Sequence, residues 1–354
     1  MNAFWNYWGK ARPIDGSAAA FHLLPYHCLD VAAVGAAYLE GAPGLCRWLT
    51  GTLGAACEHD LVAWISFWLC LHDLGKYSEA FQGQRPDVFQ RMRGRAPTMS
   101  YTMRHDTLGR VAWTELLEQI AIDDEWLGPL TEDHDRGLRA WVRAVTGHHG
   151  QPPKSDPIRL EHHFDKDDSA AILAFVREVK SLTLGDAQPL LPTQLDADAF
   201  CDASERLSWW IAGLAVLADW IGSNTEYFSY RDQPPADGRL EDYWVHAKQR
   251  AVVTLAATGM LPAAALSSTP LITLFPKISR PLPLQAWITN RPLSAELILV
   301  ILEDVTARAK TEAAVMLAHR MRTAGSADGF FVGLPTMATP SPTSVLTYLD
   351  TKHD

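Results

Sequence analysis

Residues 61–71 make an apolar run of helical periodicity that ends in His72-Asp73-Leu74-Gly75-Lys76. A helix that is apolar on every side belongs in a core. One that stops on a histidine, a carboxylate and a lysine must therefore bring partners to those groups there. Adjacent His72 and Asp73 cannot share a helix face, but at a helix end both lean toward one point, and Lys76, one turn on, projects to the same side. Alone, the pair has a plain alternative: a helix cap followed by a glycine turn. Its surroundings favour a metal site. His27 lies on an apolar helical segment with Asp30 one turn later, and His105 opens another helix. His148 and His149 stand between Gly147 and Gly150 at the end of a third, and Asp219 interrupts the apolar run Leu214-Ala215-Val216-Leu217-Ala218-Asp219-Trp220-Ile221. An ionised carboxylate there needs a strong partner. Ser223 follows one turn beyond, on the same face.

Apolar residues recur at three- and four-residue spacing in 21–38, 60–80, 108–122, 138–148, 170–181 and 199–223, and strand-like alternation is scarce. The first part of the chain reads as a stack of amphipathic helices. After about residue 262 the texture shifts. Leu271-Ile272-Thr273-Leu274-Phe275 is β-prone, and residues 297–302 resemble a buried parallel strand. A helix from residue 310 and a second strand opening at Phe330 would complete a βαβ unit. The expected division is a helical domain over 1–235, a linker or helical connection over 236–262, and an α/β fragment over 263–354.

At 354 residues the chain fits about two domains of roughly 150 each. It has no apolar run near the roughly 20 residues a membrane helix needs, and its first residues lack a signal-peptide pattern. The five cysteines are odd in number and form no CxxC pair, so they read as reduced thiols. No membrane association and a cytoplasmic location are expected. The formal charge of −10 does not advertise nucleic-acid binding, although a local basic patch overrides a global deficit. Residues 81–110 offer one, with Arg85, Arg91, Arg93, Arg95, Arg104 and Arg110 against Asp87 and Asp106. Tyr77, Phe81 and Phe89 lie close by in sequence. Two readings stay open: a surface that steers a strand and stacks its bases, or a solvated loop over core aromatics.

The order His, His-Asp, His, His-His, Asp resembles the HD-domain metallohydrolases. It most closely resembles the HD nuclease domain of the CRISPR-associated helicase–nuclease family of type I systems. The flanking pieces Trp8-Gly9-Lys10-Ala11, residues 26–34, residues 72–82, Gly147-His148-His149-Gly150 and residues 218–224 carry the same likeness, which runs from about Tyr7 to Asn224. The resemblance implies an HD helical fold with a two-metal site. His27, His72, Asp73 and Asp219 would hold one ion, and Asp73 as a bridge with His105, His148 and His149 the other. Such a donor set favours Mn, Fe, Co or Ni over Mg. Lys76 is then expected to neutralise charge on the attacked phosphate, and Ser223 and Asn224 to orient a phosphate oxygen. Asp30 and Asp106 are read as groups that orient ligand imidazoles, with Asp30 serving His27. His22, His59 and His134 are read as surface or capping residues, and His162 and His163 as exposed.

The likeness continues into a superfamily 2 helicase. Pro281-Leu282-Pro283-Leu284-Gln285 resembles the glutamine motif, and residues 301–314 occupy the place of the Walker A loop. Lys310 and Thr311 stand where phosphate and magnesium ligands would be, but Ala307 and Ala309 replace the glycines. A phosphate loop needs glycine where its backbone wraps the anion, so no productive ATP binding is expected. The sequence ends at Asp354 with no Walker B pattern and no second lobe, and an incomplete RecA-like fragment without helicase activity of its own is the expectation. The resemblance thus implies a metal-dependent endonuclease acting on single-stranded DNA, with an RNA-guided CRISPR surveillance complex and a polypeptide completing the helicase lobes as partners. Two other readings remain: an HD phosphohydrolase acting on nucleotides or cyclic nucleotides, and a non-catalytic decoy that occupies the surveillance complex.

Overall fold

A computed structural model describes residues 2–11, 19–128, 131–154, 158–185, 194–262, 267–293, 299–303, 309–327 and 330. It divides the chain into two compact units, Met1–Leu261 and Pro262–Asp354. The first is almost wholly helical. Strands β1 (Trp8–Lys10) and β2 (His22–Leu23) form a small antiparallel ribbon that leads into α1 (Leu24–Gly41). Then come α2 (Pro43–Leu53), α3 (Glu58–Cys70), α4 (Glu79–Gln82), α5 (Pro86–Arg93) and α6 (His105–Ala112). They are followed by α7 (Glu118–Asp123), α8 (Asp135–Thr146), α9 (Lys166–Leu184), α10 (Ala197–Gly222) and α11 (Glu241–Thr258). No helix among the described residues is long and apolar enough to cross a membrane. All five cysteines are free, and only Cys57 is exposed.

The centre of this unit is α1, buried on every face from Leu24 to Ala37 because α3, α10 and α11 surround it. Helix α3 is similarly enclosed; Trp64 packs edge-on against Trp68 and Trp141 of α8, and Trp68 also packs against Trp113. Such a core excludes water from the helix ends that meet inside it.

Several expectations shift. The helix read over 60–80 stops at Cys70, because His72, Asp73 and Gly75 turn the chain into a single 3-10 turn at Leu74–Tyr77. Gly75 lies directly on α6: a Cβ there would overlap the carbonyl oxygen of His105. The helix read over 108–122 begins earlier, at His105, and carries a π-type widening at Trp113–Leu117. Helix α11, within the segment read as a connection, belongs to the first unit and is pinned to α1, with the Tyr243 hydroxyl donating to Asp30 at 2.9 Å.

In the second unit, the β-prone run at Leu271 is instead helix α12 (Leu271–Leu274). Pro270 caps it, and the Phe275 amide closes a helical turn on the Leu271 carbonyl at 2.8 Å. Leu271 packs with Ile288 of α13 (Pro283–Asn290) and with Ala313 and Met316 of α14 (Ala309–Thr323), so it is buried as a helix residue. Residues 299–303 form neither helix nor strand; the rest of the strand read at 297–302, and that read after Phe330, lie outside the described residues. Among the described residues the second unit holds no strand.

Candidate metal centre

Five helix ends converge in the first unit. The first turn of α1 carries His27, the end of α3 delivers His72 and Asp73, and α6 opens on His105. The end of α8 runs through Gly147 into His148 and His149, and Asp219 sits in the last turn of α10. Three of these are C-terminal ends, whose partial negative charge favours a cation. Asp73 lies in the middle, fully buried. Its Oδ2 is 3.1 Å from His27 Nε2 and 3.2 Å from His72 Nε2; its Oδ1 is 3.5 Å from His105 Nε2 and 3.7 Å from His148 Nε2. Asp219 Oδ1 closes the first side at 3.3 Å from His27 Nε2, and His149 Nε2 closes the second at 2.8 Å from His105 Nε2.

These groups fit a metal. Asp73 Oδ1 and His148 Nε2 are buried with no hydrogen-bond partner, a costly state for polar atoms unless an ion completes them. The Nδ1 atoms of His72 and His148 face the carbonyls of Leu69 and Val145 at 2.8 and 3.1 Å. Donation from Nδ1 leaves each Nε2 lone pair aimed inward, the arrangement metal ligation uses. Burial, helped by Lys10, lowers His27 to about 4, and burial lowers His148 to about 3, so both rings are neutral donors at pH 7. Burial opposes ionisation of Asp73, but Lys76 and His72 outweigh it and hold the carboxyl well below the usual range. Three sets of ligand atoms lie within 4.8 Å of one another: His27, His72 and Asp219; His72, Asp73 and His148; and His105, His148 and His149.

The other residues singled out fall differently. Lys76 Nζ is 2.5 Å from Asp73 Oδ2 and 3.4 Å from the Gly9 carbonyl, turned onto the carboxylate. The Ser223 hydroxyl donates to Asp219 Oδ1 at 2.8 Å, and Asn224 Oδ1 accepts from the Glu226 amide at 2.9 Å. Lys310 and Thr311 open α14 in the other unit. Asp30 does not orient His27. It pairs with His22 at 3.0 Å, and His22 is buried rather than superficial. His27 Nδ1 is left without a partner. Asp106 binds its neighbours Thr107 and Arg104, not the His105 ring. His163 is buried.

Most arginines of the basic stretch are ion-paired within the chain. Arg85 meets Asp87, Arg93 meets Asp165 and Asp168, Arg95 meets Glu79 and Asp165, and Arg104 meets Asp106. Arg91 faces Asp232 at 3.8 Å, and Arg110 donates to the Lys154 carbonyl. Tyr77, Phe81 and Phe89 are buried core residues. Two neighbours of the centre escaped the sequence reading. Lys10 Nζ lies 3.6 Å from Asp219 Oδ1, and the Tyr101 hydroxyl lies 3.2 Å from His105 Nδ1. Tyr101 lies in the non-helical segment before α6, so spacing gave no signal for it, and Lys10 had none beyond its place in the flank.

Comparison with known proteins points the same way. A family model described as "Cas3, HD domain" matches residues 8–228. The CRISPR-associated endonuclease/helicase Cas3 of Escherichia coli (strain K12) is 26% identical over 366 residues, covering 94% of this chain and 38% of its own length. The protein of the same name from Thermus thermophilus is 28% identical over 325 residues, covering 91% and 34%. A crystal structure described as a CRISPR-associated protein superposes with a TM-score of 0.74 at 30% identity, covering 98% of this chain and 37% of that one. The chain thus spans little more than a third of the length of the relatives it matches.

Proposed function

The chain belongs to the Cas3 HD-domain family of CRISPR defence, and from that premise we propose that it is a metal-dependent endonuclease cutting single-stranded DNA. The observation that carries the reading is Asp73. One buried carboxylate faces histidine nitrogens on both of its oxygens, with Asp219 completing one side and His149 the other. His27, His72, Asp73 and Asp219 would hold one divalent ion, and Asp73, His105, His148 and His149 a second; the imidazole-rich set suits Mn, Fe, Co or Ni. Bound ions of this kind activate a water at neutral pH and stabilise charge on an attacked phosphate and its leaving oxygen. The residues supply the rest. Lys76 holds Asp73 ionised, Ser223 fixes the Asp219 carboxylate, and Asn224 stiffens the turn that follows.

We further propose that the chain has no helicase activity of its own, since Ala307 and Ala309 stand where a phosphate loop needs glycine. An RNA-guided surveillance complex in the cytoplasm would present the strand. The test is cleavage of circular single-stranded DNA with Mn²⁺, Co²⁺ or Ni²⁺ and a chelator control, beside the Asp73→Ala protein. Metal-dependent cutting that is lost in the variant is expected. No cutting with any metal, or equal cutting by the variant, overturns the reading.

A further inference from the structure

One charged side chain at the centre has no task in the proposed ligand set. Lys76 is committed to Asp73 and to the Gly9 carbonyl, and its side chain is 6% exposed. Lys10 is 25% exposed, and among the described residues the carboxylate in ion-pair contact with it is Asp219, at 3.6 Å. Asp219 Oδ1 also accepts from Ser223 and faces His27. A carboxylate so placed has little charge left for Lys10 once it ligates an ion. An ammonium carries three donors, so Lys10, a quarter exposed, then holds donors free for another group beside concentrated positive charge. The group that stabilises it there must be an anion.

The position of Lys10 is set by the fold. It ends β1, and β1 is clamped: the Trp8 amide donates to Gln82 Oε1 at 3.1 Å, and Gln82 Nε2 donates to the Trp8 carbonyl at 2.9 Å and the Lys76 carbonyl at 2.7 Å. Gly9 allows close approach to α1, since a Cβ there would lie 3.1 Å from both His27 Cβ and Leu24 Cα. The lysine therefore stands on a rigid arm laid across the helix that carries a ligand histidine, as a positioned binding group requires. We propose that Lys10 binds a phosphodiester oxygen of the single strand at the metal centre, a division of labour in which Lys76 serves Asp73 and Lys10 serves the substrate. This rests on the nuclease reading.

The test compares the full chain with its Lys10→Met and Lys10→Arg variants. Mn²⁺ uptake is followed by calorimetry, and binding of a short fluorescent phosphorothioate oligodeoxynucleotide by anisotropy over a range of NaCl. Lys10→Met should take up Mn²⁺ as the parent does, yet bind the strand about tenfold more weakly or worse. Its plot of log affinity against log salt should be shallower by about 0.7, the loss of one phosphate contact. Lys10→Arg should recover most of the binding. Unchanged strand affinity and slope in Lys10→Met overturn the inference. So does impaired Mn²⁺ uptake, which would make the lysine a support for Asp219. If the parent cuts and binds but Lys10→Met behaves identically, this inference alone fails; if the parent neither binds nor cuts, the nuclease reading falls and takes this one with it.

Discussion

At the level of single residues, the centre is governed by what each buried polar atom has for a partner. Ser223 shows this most simply. The family resemblance implies that Ser223, one turn beyond a carboxylate, orients a phosphate, yet its hydroxyl donates to Asp219. Removing a group that orients a metal ligand typically costs ten- to a hundredfold in affinity. Ser223→Ala should therefore weaken Mn²⁺ binding by about tenfold on the same scale, measured by calorimetry. Glu118 makes a different point, away from the centre. Burial, and then the neighbouring Asp135, raise its carboxyl from the ordinary 4.5 to about 7, against the pull of Arg139. The folded state thus holds this proton more tightly than the unfolded chain. Its contribution is present in full below pH 4.5 and is lost as the pH rises through about 7. Glu118→Gln should raise the melting temperature at pH 8 and leave it nearly unchanged at pH 4, as thermal denaturation followed by circular dichroism would show.

At the level of elements, glycine contacts decide how closely the ligand-bearing pieces approach. Gly75 sits in the turn after α3 with no room for a side chain against His105, the first residue of α6. Substitution has to push α6 away, and overpacking of this kind costs about 1–3 kcal/mol. Gly75→Ala should lower the melting temperature and impair metal uptake on the His105, His148 and His149 side more than on the side of His27 and Asp219. Metal-to-protein ratios after dialysis would show a deficit in the variant, and an unchanged ratio would refute the argument. The turn itself was legible in His72-Asp73-Leu74-Gly75-Lys76; what presses on the glycine was not. The same holds for α1. Helical spacing put Asp30 beside His27, but a helix buried on all sides has partners in every direction, and Asp30 found His22 and Tyr243.

For the whole molecule, the core that encloses the centre runs from the first residues to Leu261 and includes α11. The second unit has a small cluster of its own around Leu271, Ile288, Ala313 and Met316. A chain cut after Leu261 should accordingly fold, keep the melting transition of the full protein within a few degrees, and bind Mn²⁺ with the same affinity. A truncated chain that fails to melt cooperatively would show that the first unit depends on the second.

The helical character, the order of the ligand candidates and the helix ends at His72, His105 and His148 were readable from the amino-acid order, because periodicity and turn signals are local; that His27 and Asp219 also sit in terminal turns was not. The family followed from the same ordered elements. Which arginines were spent on internal ion pairs, which aspartate served which histidine, that the run at Leu271 is a helix, and that Lys10 reaches the centre at all depended on the folded chain. These are long-range facts: Lys10 lies at the end of a strand that approaches α1 closely through Gly9 and is clamped by Gln82 of α4. Spacing along a chain fixes which side chains share a face, but the partner on the opposite side of that face is chosen by packing.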